Sequence, residues 1–344
     1  MLKKLKDIFY ESSRDPFPDF LRGLSIIFMI QVHITELLLQ SDPAYYLFER
    51  WSYFFGGIPA APVFIMLMGY YQDKSKTSFS KEILRGFKIF LLGLVLNVLM
   101  NLSLFYKYAT SQVEIDVFSY LFGVDILLFA GLSYVLLAVL RRKIQKSYVF
   151  ILIVLVIYLI NYVLRELPSP GSIELKYLLS IFYKISDWSY FPLIPWFAYP
   201  IVGLVIHRTK IFEKFLEYKF PKLFWLIYFI VFFLTIEFGL KTSMNLDFYY
   251  QMNLDFFIYS LSILFGWLKF TNTIYTQFSD NVLVEYLRWL GRNVTVVYFF
   301  QWIIIGNTAT YLYKSLTLNS CLIVFGIVIF SISICTYLYQ ISRS

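Results

Sequence analysis

FLRGLSIIFMIQVHITELLLQ, residues Phe20–Gln40, is an apolar run broken by only a few polar side chains. A helix of roughly twenty residues, at 1.5 Å rise each, crosses a ~30 Å hydrocarbon layer. The run therefore has the length of a membrane span, and nine more of the same kind follow: Phe54–Gln72, Ile83–Phe105, Val117–Leu140, Tyr148–Leu164, Tyr190–Ile206, Leu223–Leu240, Phe256–Phe270, Val294–Tyr313 and Leu318–Gln340. The expected fold is all-α, a polytopic transmembrane helical bundle of about ten spans, or eleven if Tyr177–Ile185 also enters the bilayer. Residues 1–344 read as a single domain, with residues 1–19 as a cytoplasmic N-terminal segment. Composition agrees with the runs. The chain is 59% hydrophobic and 15% charged, where soluble domains average ~45–50% and ~25%. A soluble fold is excluded.

Cytoplasmic loops of membrane proteins collect Lys and Arg. With ten spans, one side receives Lys3, Lys4, Lys6 and Arg14, then Lys74, Lys76 and Lys81, then Arg141, Arg142, Lys143 and Lys146. The same side takes Arg208, Lys210, Lys214, Lys219 and Lys222, then Lys269, Arg288, Arg292 and Arg343, while the opposite loops carry about one basic residue each. Both termini are thus expected inside, in a multi-pass protein of the cell membrane. The net charge of +8 belongs to these loops and to contact with membrane lipid, and no nucleic-acid partner is expected. Cys321 and Cys335 give no disulfide framework, and two histidines, His33 and His207, give no metal site.

Ionisable groups inside apolar spans cost a few kcal/mol each on insertion scales, so each needs a reason. The first span holds the densest set: Arg22, His33 and Glu36. Arg22 stands at the cytoplasmic mouth. His33, eleven residues on, lies about 16 Å deeper on nearly the same helical face, and Glu36 is its neighbour one turn further. A neutral imidazole can serve as a general base or as a nucleophile, and Glu36 could orient it. The plain alternative is a packing histidine with an interfacial glutamate. Asp125, in LFGVDILLFAGLSY, is either a partner for a neighbouring helix or part of the site. Asn97 and Asn101 read as interhelical glue, and His207 as a solvated interfacial residue. GGIPAAPVFIMLMG (Gly56–Gly69) opens the second span with Pro59 and Pro62. DWSYFPLIPWFAYPIVG (Asp187–Gly203) has three prolines and suits the wall of a cleft. LRWLGRNVTVVYFFQW (Leu287–Trp302) sets Arg288 and Arg292 at the mouth of the ninth span, where they suit phosphate groups.

These segments carry a resemblance. DFLRGLSIIFMIQVH resembles the first-span signature of the acyltransferase 3 family, and more closely that of the related heparan-alpha-glucosaminide N-acetyltransferase family with its bacterial and archaeal members. GGIPAAPVFIMLMGYY, VDILLFAGLSY, FPLIPWFAYPIVG and LGRNVTVVY resemble further motifs of that family, in the expected order over most of the chain. Where the acyltransferase 3 family has paired arginines near the third span, this chain has Arg85, Gly86, Phe87 and Lys88.

The resemblance implies an acyl-CoA-dependent membrane acyltransferase that passes an acetyl or acyl group from cytosolic acetyl-CoA to a carbohydrate or glycolipid acceptor on the far side. His33, Glu36 and Asp125 are the expected catalytic set. Arg22, Arg85, Lys88, Arg288, Arg292 and Asn293 are the expected donor-binding set. No cofactor is expected to stay bound, no metal is expected, and a homodimer is compatible with the sequence. A transporter using His33, Glu36 and Asp125 as a proton relay is the alternative class, although no internal repeat is visible.

Overall fold

A computed structural model of the chain describes residues 15–168 and 170–342. The first fourteen residues of the expected cytoplasmic segment, with Lys3, Lys4, Lys6, Arg14 and Arg343, lie outside the described residues. The described residues are 80% helical, and among them the only extended pairing is a parallel bridge between Leu39 and Leu316. The all-α expectation holds.

In chain order the helices are α1 Pro16–Leu38, α2 Tyr46–Gly57, α3 Ala61–Lys74, α4 Phe79–Met100, α5 Leu102–Ala109, α6 Val117–Leu121 and α7 Ile126–Lys143. There follow α8 Ser147–Arg165, α9 Ile173–Ser180, α10 Leu193–Trp196, α11 Ala198–Thr209, α12 Ile211–Glu217 and α13 Lys222–Met244. The last are α14 Leu246–Gln251, α15 Leu254–Phe278, α16 Val282–Arg292, α17 Val294–Leu312 and α18 Leu318–Ile341. Seven helical stretches among the described residues are long and apolar enough to cross a bilayer. They correspond to the first, second, third, fifth, seventh, eighth and tenth expected spans. The fourth is broken at Gly123, the sixth is split among prolines into α10 and α11, and the ninth, α17, carries Gln301 and Asn307 among its apolar residues.

Several long helices turn large apolar side chains outward. On α13, Phe233 and Leu234 are 71% and 78% exposed, and α8 and α18 show similar faces. In water such surface would be an aggregation hazard, whereas lipid takes it without penalty. The chain is a multi-pass membrane protein.

It folds as two compact units. One comprises residues 15–64 and 262–342, the other Ile65–Leu261. In the first unit α1 is the central element, and it crosses α16 at glycines. A Cβ added to Gly23 would lie 1.8 Å from the Leu287 carbonyl oxygen, and one added to Gly291 would lie 1.8 Å from that of Asp19. Close helix contact of this kind is what small residues permit in membranes. The second unit uses the same device where α3 meets α11, with Gly69 against the Pro200 carbonyl and Gly203 against that of Met66, at 2.0 and 1.9 Å from the added carbons.

Candidate functional site

The C-terminal end of α1 is fastened by backbone. A helix leaves its last carbonyls without intrahelical donors. Here Lys314 N–H donates to the Leu37 carbonyl and Leu316 N–H to that of Leu38, each at 2.9 Å, while Gln40 N–H donates to the Leu316 carbonyl at 2.8 Å. Near the other end, Ser25 Oγ donates to the Pro59 carbonyl at 3.1 Å, a group exposed by the break between α2 and α3. Both Glu36 and His33 are thereby held on a helix tied down along its length.

His33 sits in the interior of α1, half-buried. Its ring lies against the Trp302 indole with centroids 4.1 Å apart and planes at 35°, and its Nδ1 is 3.5 Å from the Gln301 side-chain nitrogen. Gln301 is 0% exposed. Neither its Oε1 nor Trp302 Nε1 has a hydrogen-bond partner among the described residues. On the same turns of α1, Gln31 donates to Thr35 Oγ1 at 3.0 Å and to the Ser52 hydroxyl. Glu36 is half-buried and feels the charge of Lys314, and the Tyr53 phenol feels that of Glu36. Gln301 and Trp302 were missed from sequence. An amide and an indole inside the apolar run VVYFFQWIII were the available signal.

Toward the N-terminal end of α1 the expected arginines do come together. Arg22 pairs with Asp19 at 2.9 Å. Arg288 pairs with Glu285, and Arg292 reaches the other Glu285 oxygen at 3.4 Å while also feeling Asp19 and Arg288. Three guanidiniums thus share two carboxylates where α1 and α16 cross. Asn293 serves the backbone instead. Its amide donates to the Trp289 carbonyl at 2.9 Å and accepts from Gln340 Nε2 at 3.1 Å, and Gln340 in turn accepts from the Trp289 indole at 2.8 Å.

Arg85, Lys88 and Asp125 belong to the second unit. Arg85 and Lys88 are exposed on α4, Arg85 lying over the Tyr134 ring at 5.3 Å. Asp125 is not inside a continuous span. It is the N-cap of α7, accepting from the N–H groups of Leu127 at 2.8 Å and Leu128 at 3.2 Å. Asn97 supports the break before it by donating to the carbonyls of Leu121 and Gly123, the interhelical role expected of it. His207 stays part-exposed in the last turn of α11, and its Nδ1 lies 2.8 Å from Asp73 Oδ2. Asp73 also binds Arg208, and the fully buried Glu82 binds both Arg141 and Arg142. Three loops expected on one side of the bilayer therefore meet at one end of this unit. No group of three metal-ligating side chains is found among the described residues.

Comparison with known proteins decides the family. Residues 14–232 match the family model described as heparan-alpha-glucosaminide N-acetyltransferase, catalytic. The chain belongs to that family. The match spans well over half the sequence and takes in the whole of α1. Membership of the heparan-alpha-glucosaminide N-acetyltransferase family makes the protein a membrane acetyltransferase. α16 and α17, which carry Arg288, Arg292, Gln301 and Trp302, lie beyond the matched residues. No curated protein and no solved structure matches the chain.

Proposed function

We propose that the protein moves an acetyl group from cytosolic acetyl-CoA to an amino or hydroxyl group of a carbohydrate-type acceptor at the outer face of the cell membrane, with both termini inside. The observation that carries this reading is the family match across α1, the helix that bears Arg22 at one end and His33 in its interior. Acetyl-CoA is polyanionic, and Arg22, Arg288 and Arg292 offer guanidiniums that suit its phosphates. Asn293 shapes the start of α17, and Arg85 and Lys88 are exposed on α4 of the other unit. The slender pantetheine arm then enters along α1 and brings the thioester to His33.

His33 acts as general base. It takes the proton from the acceptor N–H or O–H as that atom attacks the acetyl carbonyl. The acyl–sulfur bond breaks, the acyl–nitrogen or acyl–oxygen bond forms, and the coenzyme A thiolate leaves and is protonated. Glu36, one turn from His33, orients the acceptor or the imidazole. Asp125 acts by fixing the start of α7.

The test uses purified protein in proteoliposomes supplied with radiolabelled acetyl-CoA and an amino-sugar acceptor. Label should move to the acceptor in the intact protein and fail to move in His33→Ala. Acceptor counterflow without coenzyme A, and no label transfer, would make the protein a transporter instead.

A further inference from the structure

His33 is gripped by two consecutive residues of α17, and the way they hold it has a chemical consequence. Trp302 lies against the imidazole ring, centroids 4.1 Å apart, and so limits the ring's rotation about χ2. Gln301 meets the ring at Nδ1, 3.5 Å from its amide nitrogen. Its side chain is completely buried, and its carbonyl oxygen has no partner among the described residues. Gln72 Oε1 and Asn97 Oδ1 are also unpartnered among the described residues, but the Gln301 amide is the one set against an imidazole, which invites an explanation.

The two ends of a glutamine amide do opposite things. The nitrogen end donates, and so suits an Nδ1 that carries a lone pair; the proton then sits on Nε2. The oxygen end accepts, and so suits an Nδ1 that carries the proton; the lone pair then sits on Nε2. Half a turn about the last side-chain bond exchanges the two ends at the same place. Once Nε2 has taken a proton, both ring nitrogens are N–H donors, and only the oxygen end can stay bonded to Nδ1. Proton transfer through Nε2 thus requires the carbonyl to face His33.

We propose that Gln301 is the residue that sets the tautomer of His33: its Oε1 accepts the Nδ1–H, leaves the Nε2 lone pair free to take the acceptor's proton, and stabilises the imidazolium that results. This rests on the reading of His33 as general base. Gln301 acts through His33 and touches neither substrate, so it is a positioning residue. The ionisable groups around His33 are Glu36 on the same helix and, beyond Glu36, Tyr53 of α2 and Lys314 after α17. None of them is placed to bond Nδ1, which leaves that task to Gln301.

The experiment measures kcat, KM and the pH–rate profile of acetyl transfer by the full-length protein in detergent, with thermal melting as a check on folding. Three variants are compared: Gln301→Met, Gln301→Glu and His33→Ala. Gln301→Met, similar in volume and unable to hold Nδ1–H firmly, should lower kcat roughly ten- to a hundredfold with the acetyl-CoA KM unchanged. Gln301→Glu, which accepts but does not donate when ionised, should recover much of the lost kcat. It should also move the acid limb of the profile to higher pH, because a carboxylate beside the ring favours its charged form. A residue that merely packs would leave that limb where it is. Unchanged kcat in Gln301→Met, or an unmoved limb in Gln301→Glu, overturns the proposal while His33→Ala stays inactive. Full activity in His33→Ala overturns both the proposal and the general-base reading beneath it.

Discussion

Two polar clusters, one in each unit, handle charge differently. At the loop end of the second unit, Asp73 uses both carboxylate oxygens on Arg208 and Glu82 its two on Arg141 and Arg142, and Arg208 also donates to the carbonyls of Arg141 and Ile144. Charge is neutralised at contact distance, with Arg141 Nε left over among the described residues. Around His33 in the first unit the imidazole has one long contact, the Gln301 carbonyl has no partner and the Trp302 N–H has none among the described residues. Satisfied networks rigidify a structure, and partly satisfied ones are costly unless something else uses them. The comparison teaches where to look for chemistry: at a titratable ring held without a charged partner, more than at carboxylates already neutralised by arginine.

The sharpest way to break this comparison is His33→Ala. Loss of a general base lowers acetyl transfer by about 10²–10⁴-fold, with melting temperature in detergent nearly unchanged; an unaltered rate would erase the distinction between the units. Glu82→Gln should do the reverse. Removing one partner of a buried pair costs about 3–5 kcal/mol, so this variant should melt well below the parent, while the fraction that remains folded turns over at the parent's rate. Asp125→Ala tests a carboxylate expected in the site and found at a cap. It should cost about 1 kcal/mol of stability and leave kcat within a small factor, whereas Asp125→Asn, itself a good cap, should be close to neutral. A collapse of kcat in Asp125→Asn with normal stability would return Asp125 to the chemistry.

The smallest effect concerns Glu213, outside the spans. Burial pushes its carboxyl upward, but its own backbone N–H, the Tyr70 hydroxyl at 2.9 Å, and the charges of His207 and Lys74 outweigh that and hold it below the usual 4.5. A carboxyl lowered on folding adds stability above its unfolded value and loses it as pH falls through the folded one. Tyr70→Phe should therefore lower stability at neutral pH and cost progressively less as pH falls below about 4.5, which flattens the profile there. Equal losses at both pH values would show that the hydroxyl contributes through packing.

Much of the fold was legible because lipid imposes a simple rule of length and polarity. Ile83–Phe105 and Tyr148–Leu164 fall close to α4 and α8. Phe256–Phe270 proved too short: α15 continues through Thr271, Asn272 and Thr273 to Phe278, since a helix need not stop where its apolar residues do. The break in the fourth span was readable too. Gly123 followed by Asp125 ahead of an apolar run is an N-cap pattern, here hidden inside a hydrophobic window. In the site, Arg22, His33 and Glu36 could be placed on one face from spacing alone. Gln301 and Trp302 could not be attached to them, because nothing local links position 33 to position 301. The pairing of Asp73 with Arg208 and of Glu82 with Arg141 escaped for the same reason.

The fastening of α1 at both ends has a mechanical meaning. Leu37, Leu38 and Gln40 are bonded to the 314–316 segment that follows α17, and Gly23 is seated against α16, the helix that precedes α17. The helix bearing His33 is thus a beam clamped at two points to the same continuous stretch of chain that supplies Gln301. Sliding along its axis would break both clamps at once, and rolling would carry Gly23 off the Leu287 carbonyl. Thinning or thickening of the surrounding bilayer should therefore tilt the two helices together and leave the spacing between imidazole and amide as it was.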